Sequence, residues 1–142
     1  MQFTEKDQLF MGLAIELAHT AYENDEVPVG AVIVQRRNSE VLSAFSNQMR
    51  ATKSSINHAE MLAIQKAMDL IKNERLIDCD MYVSLEPCPM CAYAISIARI
   101  DTLFFAAEDK KSGGVLNGPK IFESSSCHHN DVPQQLSQSG RP

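Results

Sequence analysis

Apolar residues near the N-terminus recur at three- and four-residue intervals, which is the spacing of an amphipathic helix. Leu9 and Leu13 belong to this pattern, and Thr4 followed by Asp7 forms a capping signature just before it. The helix is expected to end near Asn24, because the Asp-Glu-Val-Pro sequence that follows disfavours its continuation. The pattern therefore predicts one helix at the start of the chain.

A different pattern follows the first helix. Residues 29–34 are continuously apolar and rich in β-branched side chains, which is typical of a buried strand. Turn-forming residues at 37–40 and a second short β-rich run at 41–46 predict an antiparallel hairpin. A polar loop is expected to connect this hairpin to His58.

Helices and strands are predicted to alternate over the rest of the domain. Helical spacing returns at residues 59–71, followed by a strand at 81–85, a buried helix at 88–100 and a strand at 103–107. A strand, a helix and a further strand in this order favour a β-α-β unit with parallel strands. The whole pattern predicts an α/β fold with three layers and one antiparallel hairpin.

Composition and length fit a single globular domain. The chain has 142 residues, 44% of them hydrophobic, with six Gly and six Pro, which excludes collagen-like and wholly disordered proteins. No apolar run approaches the roughly 18–20 residues of a membrane span, and the N-terminus is too charged for a secretory signal. We expect a cytoplasmic protein without membrane association, in which residues 1–132 form the domain and 133–142 a polar, frayed tail.

The net charge of −5 argues against broad electrostatic binding of nucleic acid. The surplus of acidic residues lies within residues 1–26, whereas the remainder of the chain is balanced. Basic residues such as Arg36, Arg50 and Lys110 are therefore either part of a local rim that faces phosphates or ordinary solvated charges. Charge alone leaves both interpretations open.

Cys88 and Cys91 form a C-x-x-C motif, while Cys79 and Cys127 are isolated in the sequence. A chain with a real core and no secretory signal is expected in a reducing compartment, where structural disulfides are rare. The motif is then either a redox pair or part of a metal site.

His58 favours the metal site. A catalytic zinc ion needs three protein ligands and one open position for water, and His58, Cys88 and Cys91 supply one imidazole and two thiolates. A structural site with four cysteines would need a second close pair, and a redox pair would leave His58 and Glu60 unexplained. We therefore predict one zinc ion per subunit, held by these three residues.

Glu60 lies two residues after the predicted histidine ligand and is the candidate proton shuttle. A carboxylate there can take a proton from water, deliver it to a ring nitrogen of a heteroaromatic substrate, and then protonate departing ammonia. The predicted reaction is hydrolytic deamination. H-x-E followed by P-C-x-x-C is the signature of the zinc nucleobase deaminases.

Two further polar residues flank these motifs. Asn47 ends the second predicted strand and is a candidate for substrate binding, although asparagine is also common in ordinary loops. Glu86 precedes the cysteine pair, and we interpret it as an acid at the start of a helix, with orientation of the zinc ligands as the alternative.

Four motifs in one order resemble the bacterial tRNA-specific adenosine deaminase family. They are EVPVGAV at 26–32, HAE at 58–60, RLID at 75–78 and LEPCPMC at 85–91, and the resemblance covers roughly residues 9–132. It implies a cytidine deaminase-like α/β/α fold with a mixed, roughly five-stranded sheet, and a homodimer. The implied activity converts the wobble adenosine of a tRNA anticodon to inosine, so the implied partner is a tRNA anticodon loop.

The resemblance also carries roles onto single residues of this chain. His58, Cys88 and Cys91 become zinc ligands, and Glu60 the proton shuttle. Asn47 becomes a base-recognition residue, and Asp109 and Lys111 lie in a loop that resembles the family's RNA-facing loop.

Two other functions compete with this one. A deaminase of a free nucleobase, nucleoside or nucleotide, of the cytosine, guanine or deoxycytidylate type, would share the zinc chemistry and differ at the rim of the pocket. A zinc-binding interaction module without activity would need no Glu60, so this carboxylate counts against it.

The sequence departs from the family in two places. Ser-Ser-Ile-Asn stands at 54–57, where the family usually has Asp-Pro-Thr-Ala, and the polar stretch 134–142 stands where the family has an amphipathic helix. Both places bear on how the substrate is positioned. We therefore expect weaker RNA affinity than in a relative that has the helix.

Overall fold

The computed structural model describes residues 3–124 and 132–135, which form an alternation of helices and strands. In chain order these are α1 (Glu5–Glu23), β1 (Gly30–Gln35), β2 (Glu40–Ser46), α2 (Met49–Thr52), α3 (Ala59–Ile71), β3 (Cys79–Leu85), α4 (Pro89–Ala98), β4 (Thr102–Ala107) and β5 (Val132–Gln135). A 3₁₀ turn lies at Ile121–Glu123. Helix α1 begins at the predicted Thr4 and Asp7 capping box and ends at Asn24, and α3 has the predicted bounds.

The strands form one mixed sheet in the order β2-β1-β3-β4-β5. Strand β1 pairs antiparallel with β2 and β3, whereas β4 pairs parallel with β3 and β5. The antiparallel β1–β2 pair is the predicted hairpin, and β3, α4 and β4 are the predicted β-α-β unit. The predicted α/β class with a mixed five-stranded sheet is confirmed.

Helices cover both faces of the sheet. Helix α1 packs on one face, where Met11 and Ala14 meet Val32 and Tyr82 in a buried cluster. Helices α3 and α4 pack on the other face in a second, larger cluster that includes Ala63, Ile95, Ile33, Leu103 and Phe105. Among the described residues, none of the helices has both the length and the apolar character of a membrane span.

Gly30 allows α1 to lie directly against the start of β1. A Cβ atom at Gly30 would overlap the backbone carbonyl of Ala14 and would lie 2.9 Å from the backbone nitrogen of Ala18. Because only glycine lacks that atom, the helix backbone can contact the strand here. The Gly30 N–H also donates to Ser84 Oγ at 3.0 Å, which ties the start of β1 to the end of β3.

The bounds of the four predicted strands differ from the structure by one or two residues at most, and two other segments differ more. The polar loop expected before His58 contains α2, because the Glu26 carboxylate accepts hydrogen bonds from the Arg50 and Ala51 N–H groups at its start. The helix predicted over 88–100 is shorter, because Arg99 adopts a left-handed conformation with φ 67° that ends it.

Part of the tail predicted at residues 133–142 belongs to the sheet. Residues 133–135 belong to β5, whose parallel pairing with Thr102–Phe105 supplies the backbone partners that keep this polar segment in the sheet. The rest of the predicted tail, residues 136–142, lies outside the described residues. Cys127 lies outside them too.

Candidate active site

Three potential metal ligands converge where α3 and α4 begin. His58 is the N-cap residue of α3, Cys88 is the N-cap residue of α4, and Cys91 lies in the first turn of α4. The His58 Nδ1 atom is 3.7 Å from the Cys88 sulfur and 3.5 Å from the Cys91 sulfur. All three ligand atoms lie within 4.8 Å of one another, so the fold brings together the residues predicted to hold zinc.

The chemistry of this donor set fits a zinc ion. One imidazole nitrogen and two cysteine sulfurs are ligand types that zinc prefers, and three protein ligands leave a fourth position for water. Both cysteines are free. A hydrogen bond from the Cys91 thiol lowers the pKa of Cys88 to about 5, against the opposing effect of burial, so Cys88 favours the thiolate form that metals bind.

Glu60 lies in the first turn of α3 beside the three ligand atoms, with only 4% of the residue exposed. Burial raises the pKa of Glu60 to about 7, and the negative charge of Cys88 acts in the same direction. A carboxyl group with a pKa near neutrality both accepts and releases a proton readily at neutral pH. Its position and chemistry suit the predicted proton shuttle.

A cavity of about 210 Å³ opens beside these groups. Val27, Val29, Met49 and Leu85 form its apolar lining, and Glu60 lies in its wall. Small-molecule sites combine such apolar walls with a few placed polar groups. The cavity therefore suits one flat ring held next to the metal ligands.

Asn47 lines the same cavity and is 3% exposed. Its Oδ1 accepts a hydrogen bond from the Ala59 N–H at 3.0 Å, and its own N–H donates to the Val29 carbonyl at 3.0 Å. The first bond joins the end of β2 to the start of α3, directly beside His58, and the second joins it to the residue before β1. Asn47 therefore lines the candidate site and is buried, unlike an ordinary exposed loop residue.

The loop after β4 brings Asp109 into the cavity wall but not Lys111. Asp109 Oδ1 accepts hydrogen bonds from the Lys111 and Ser112 N–H groups, at 3.2 and 2.9 Å. Ser112 also lines the cavity, whereas Lys111 is exposed. The two residues assigned to the RNA-facing loop thus differ in position, since one lines the cavity and the other faces solvent.

The structure does not support the interpretation of Glu86 as an acid at the start of a helix. Glu86 is 2% exposed, and its carboxylate accepts hydrogen bonds from the loop after β4, not from the N–H groups of α4. Burial alone would raise the pKa of Glu86, but hydrogen bonds from Asp109, Val115 and Asn117 outweigh it and lower the pKa. The sequence signal that points to these loop contacts is an acidic residue at the end of a buried strand, next to the cysteine motif.

The basic residues Arg36 and Arg37 lie away from this site. Arg36 contacts Asp80 at 3.5 Å and Asp101 at 3.3 Å, and Arg37 contacts Asp78 at 3.4 Å. These pairs lie where β3 begins, whereas the metal ligands lie beyond its other end. Their charges are already paired with acids, so they do not form a rim around the site.

A second cavity, of about 390 Å³, lies near these ion pairs, between α1 and the first residues of β3 and β4. The stacked rings of Tyr82 and Phe104 line it, with centroids 4.6 Å apart. It is larger than the first cavity but contains none of the predicted ligands, so size does not identify the active site here.

The fold and the site together define a class of protein. An α/β domain that holds one histidine and two cysteines at the starts of two helices, with a buried glutamate beside them, is a zinc-dependent deaminase. In agreement, residues 4–107 match the family model described as the cytidine and deoxycytidylate deaminase zinc-binding region.

Individual relatives place the chain more closely. It is 44% identical over 131 residues to the tRNA-specific adenosine deaminase of Agrobacterium fabrum, covering 92% of this chain and 85% of the relative. It is 43% identical over 119 residues to the tRNA-specific adenosine deaminase of Rickettsia typhi, covering 84% of this chain and 80% of the relative.

A solved structure from studies of A-to-I editing by tRNA:A34 deaminases matches with a TM-score of 0.86 and 41% identity, over 90% of this chain and 97% of that one. The chain belongs to the cytidine and deoxycytidylate deaminase family, and within it to the tRNA-specific adenosine deaminases. The family match and the donor set confirm the predicted cofactor, one zinc ion per subunit.

Proposed function

We propose that this chain deaminates the wobble adenosine of a tRNA anticodon to inosine, with water consumed and ammonia released. One observation carries the proposal: Glu60 lies in the wall of a cavity sized for one base, beside the ligand atoms of His58, Cys88 and Cys91. The relatives named above, which are tRNA-specific adenosine deaminases, favour adenosine in tRNA over a free base, nucleoside or nucleotide as the substrate.

Glu60 moves the protons of the reaction. His58, Cys88 and Cys91 would hold a zinc ion, which would supply an activated water molecule for attack on the carbon that bears the amino group. A carboxylate oxygen of Glu60 accepts one proton of the attacking water and passes it to the adjacent ring nitrogen of the base. Glu60 then accepts the second proton, from the hydroxyl oxygen now bonded to that carbon, and donates it to the amino group, which leaves as ammonia. The buried position of Glu60 in the cavity wall supports this role.

Asn47 and the apolar walls hold the base. The Asn47 amide oxygen is occupied by the Ala59 N–H, and within residues 3–124 no protein acceptor is hydrogen-bonded to its Nδ2 group. That group can donate to a ring nitrogen of the base, while Val29 and Leu85 contact the ring. Lys111 is exposed on the loop that also carries Asp109, where it is accessible to a phosphate of the anticodon loop.

The substrate should be an RNA stem-loop and not a free base. An anticodon loop is single-stranded, so a base can leave the stack at little cost, and flanking nucleotides add contacts of about 1–3 kcal/mol per stacked base. We expect a stem-loop with a wobble adenosine to have a kcat/KM at least roughly tenfold above that of free adenosine. Mass-spectrometric detection of inosine checks this.

The control for that assay is the same stem-loop with guanosine at the wobble position, which should give no inosine. Efficient turnover of a free base, together with an untouched stem-loop, would replace the tRNA assignment with the free-base alternative. Binding of the stem-loop should also weaken as salt concentration rises, because phosphate contacts release counterions.

We also propose that the chain acts as a homodimer through α4. Met90, Tyr93, Ala94 and Ile97 share one helix face, and Met90 and Ile97 are 37% and 49% exposed. We expect light scattering at micromolar concentration to give twice the 15.8 kDa chain mass, and Ile97→Glu to give the single chain. A monomer in the unsubstituted protein would contradict the proposal.

We also propose that the protein is located in the cytoplasm. Cys88 and Cys91 bind zinc only as free thiolates, and a reducing compartment keeps them from forming a disulfide.

A further inference from the structure

The buried carboxylate of Glu86 accepts hydrogen bonds from several groups of the loop that follows β4. Its Oε2 accepts hydrogen bonds from three successive N–H groups, those of Val115, Leu116 and Asn117, at 2.9, 2.9 and 3.1 Å. Its Oε1 accepts from the Asp109 N–H at 3.0 Å and from the Asn117 side-chain amide at 2.7 Å. Five donors from one loop therefore converge on one side chain, and both of its oxygens are in use.

The same loop is held against the backbone of the metal-ligand segment. The Gly114 N–H donates to the Pro87 carbonyl at 2.8 Å. A Cβ atom at Gly114 would lie 2.6 Å from the Pro89 Cα, and one at Gly113 would overlap the Glu86 carboxylate. The two glycines therefore let the loop approach both Glu86 and the residues that flank Cys88.

These contacts connect Glu86 to the cavity wall. The Glu86 carboxylate accepts a hydrogen bond from the Asp109 N–H, and the Asp109 carboxylate in turn accepts hydrogen bonds from the N–H groups of Lys111 and Ser112. Asp109 and Ser112 line the cavity beside the metal ligands. The position of this part of the cavity wall relative to Cys88 thus depends on the buried carboxylate of Glu86, which lies two residues before Cys88 in the chain.

We propose that Glu86 is a positioning residue that holds the loop of residues 109–117 at a set distance from the metal ligands, and so determines how tightly the substrate loop of the RNA is held. The inference rests on the function proposed above. A carboxylate is required because it presents only acceptors, whereas glutamine would turn an N–H₂ donor towards the N–H donors of the loop.

Glu86→Gln tests the proposal in the zinc-loaded protein. Loss of loop positioning removes contacts made equally to substrate and transition state, so KM for the stem-loop should rise roughly tenfold or more while kcat changes less. A purely structural defect would instead lower the amount of active enzyme, and hence the apparent kcat, at unchanged KM. Glu123→Gln, which removes an exposed negative charge, is the matched control and should change neither constant.

A second variant covers the case in which Glu86→Gln does not fold. Asn117→Ala removes the side-chain amide that donates to Glu86 and, at 3.2 Å, to the exposed Glu108, and it should raise KM in the same direction by a smaller factor. An unchanged KM in a folded Glu86→Gln protein, or in Asn117→Ala where Glu86→Gln does not fold, overturns the proposal.

Hydrogen exchange separates this inference from the proposed function. In Glu86→Gln the amides of Asp109, Val115 and Leu116 should exchange faster, while the amides of β3 keep their protection. This result is expected whichever substrate the enzyme uses. Unchanged exchange at these three amides would disprove the anchoring by Glu86, whereas an inactive unsubstituted enzyme with normal anchoring would disprove the tRNA function alone.

Discussion

Replacing Glu60 with glutamine is expected to lower kcat on the RNA stem-loop by a factor of roughly 10²–10⁴ while zinc content and fold stay unchanged. Glutamine has nearly the same shape but neither accepts nor releases a proton at neutral pH. Glu60 is not among the three ligand atoms of the metal group, so the metal should remain bound. Single-turnover rates and the zinc content of the purified variant are the measurements.

The matched control for this substitution is Glu74→Gln, which removes an exposed carboxylate after α3 and should leave kcat unchanged. Normal deamination by Glu60→Gln would remove this residue from the mechanism. Loss of zinc from the variant would show that Glu60 acts on the metal group itself, contrary to its proposed role.

The sequence predicts most of the fold because its longer elements have clear periods. The helix at α3 and the hairpin of β1 and β2 are visible in apolar spacing and turn residues alone. Helix α2 has four residues, and its N-terminal N–H groups are bonded by Glu26, more than twenty positions away in the chain. No local pattern signals such a bond, so the sequence alone predicts a loop here.

The metal ligands of the site are predictable from the sequence, whereas the role of Glu86 is not. The types of ligand and the spacing of His58, Cys88 and Cys91 follow from zinc chemistry, and so they can be recognised in a sequence. The function of Glu86 depends on hydrogen bonds to residues 23 to 31 positions further along the chain. Only the folded loop shows those partners.

Strand β5 illustrates a third reason for failure. Its four residues include one proline and two glutamines, a composition that also occurs in loops. What makes it a strand is the exposed edge of β4, with which it pairs in parallel. The edge exists only once β3, α4 and β4 have packed together.

The double substitution Cys88→Ser and Cys91→Ser is expected to reduce bound zinc from one ion per chain to none. Serine hydroxyls are poor zinc ligands, and His58 alone does not hold the ion. Zinc that binds only the folded chain stabilises it, by about 4.1 kcal/mol when free zinc is 1,000 times its Kd, so the free energy of unfolding should fall by a similar amount. Elemental analysis and denaturant unfolding check the two effects.

Cys79→Ser is the control that makes the double substitution informative. Cys79 is a buried free cysteine at the start of β3 and is not in the metal group, and burial raises its pKa to about 11, so it stays a thiol. This variant should keep a full zinc content, although replacing a buried thiol lowers its stability. Full zinc in the double variant, or loss of zinc from Cys79→Ser alone, would place the metal elsewhere than between α3 and α4.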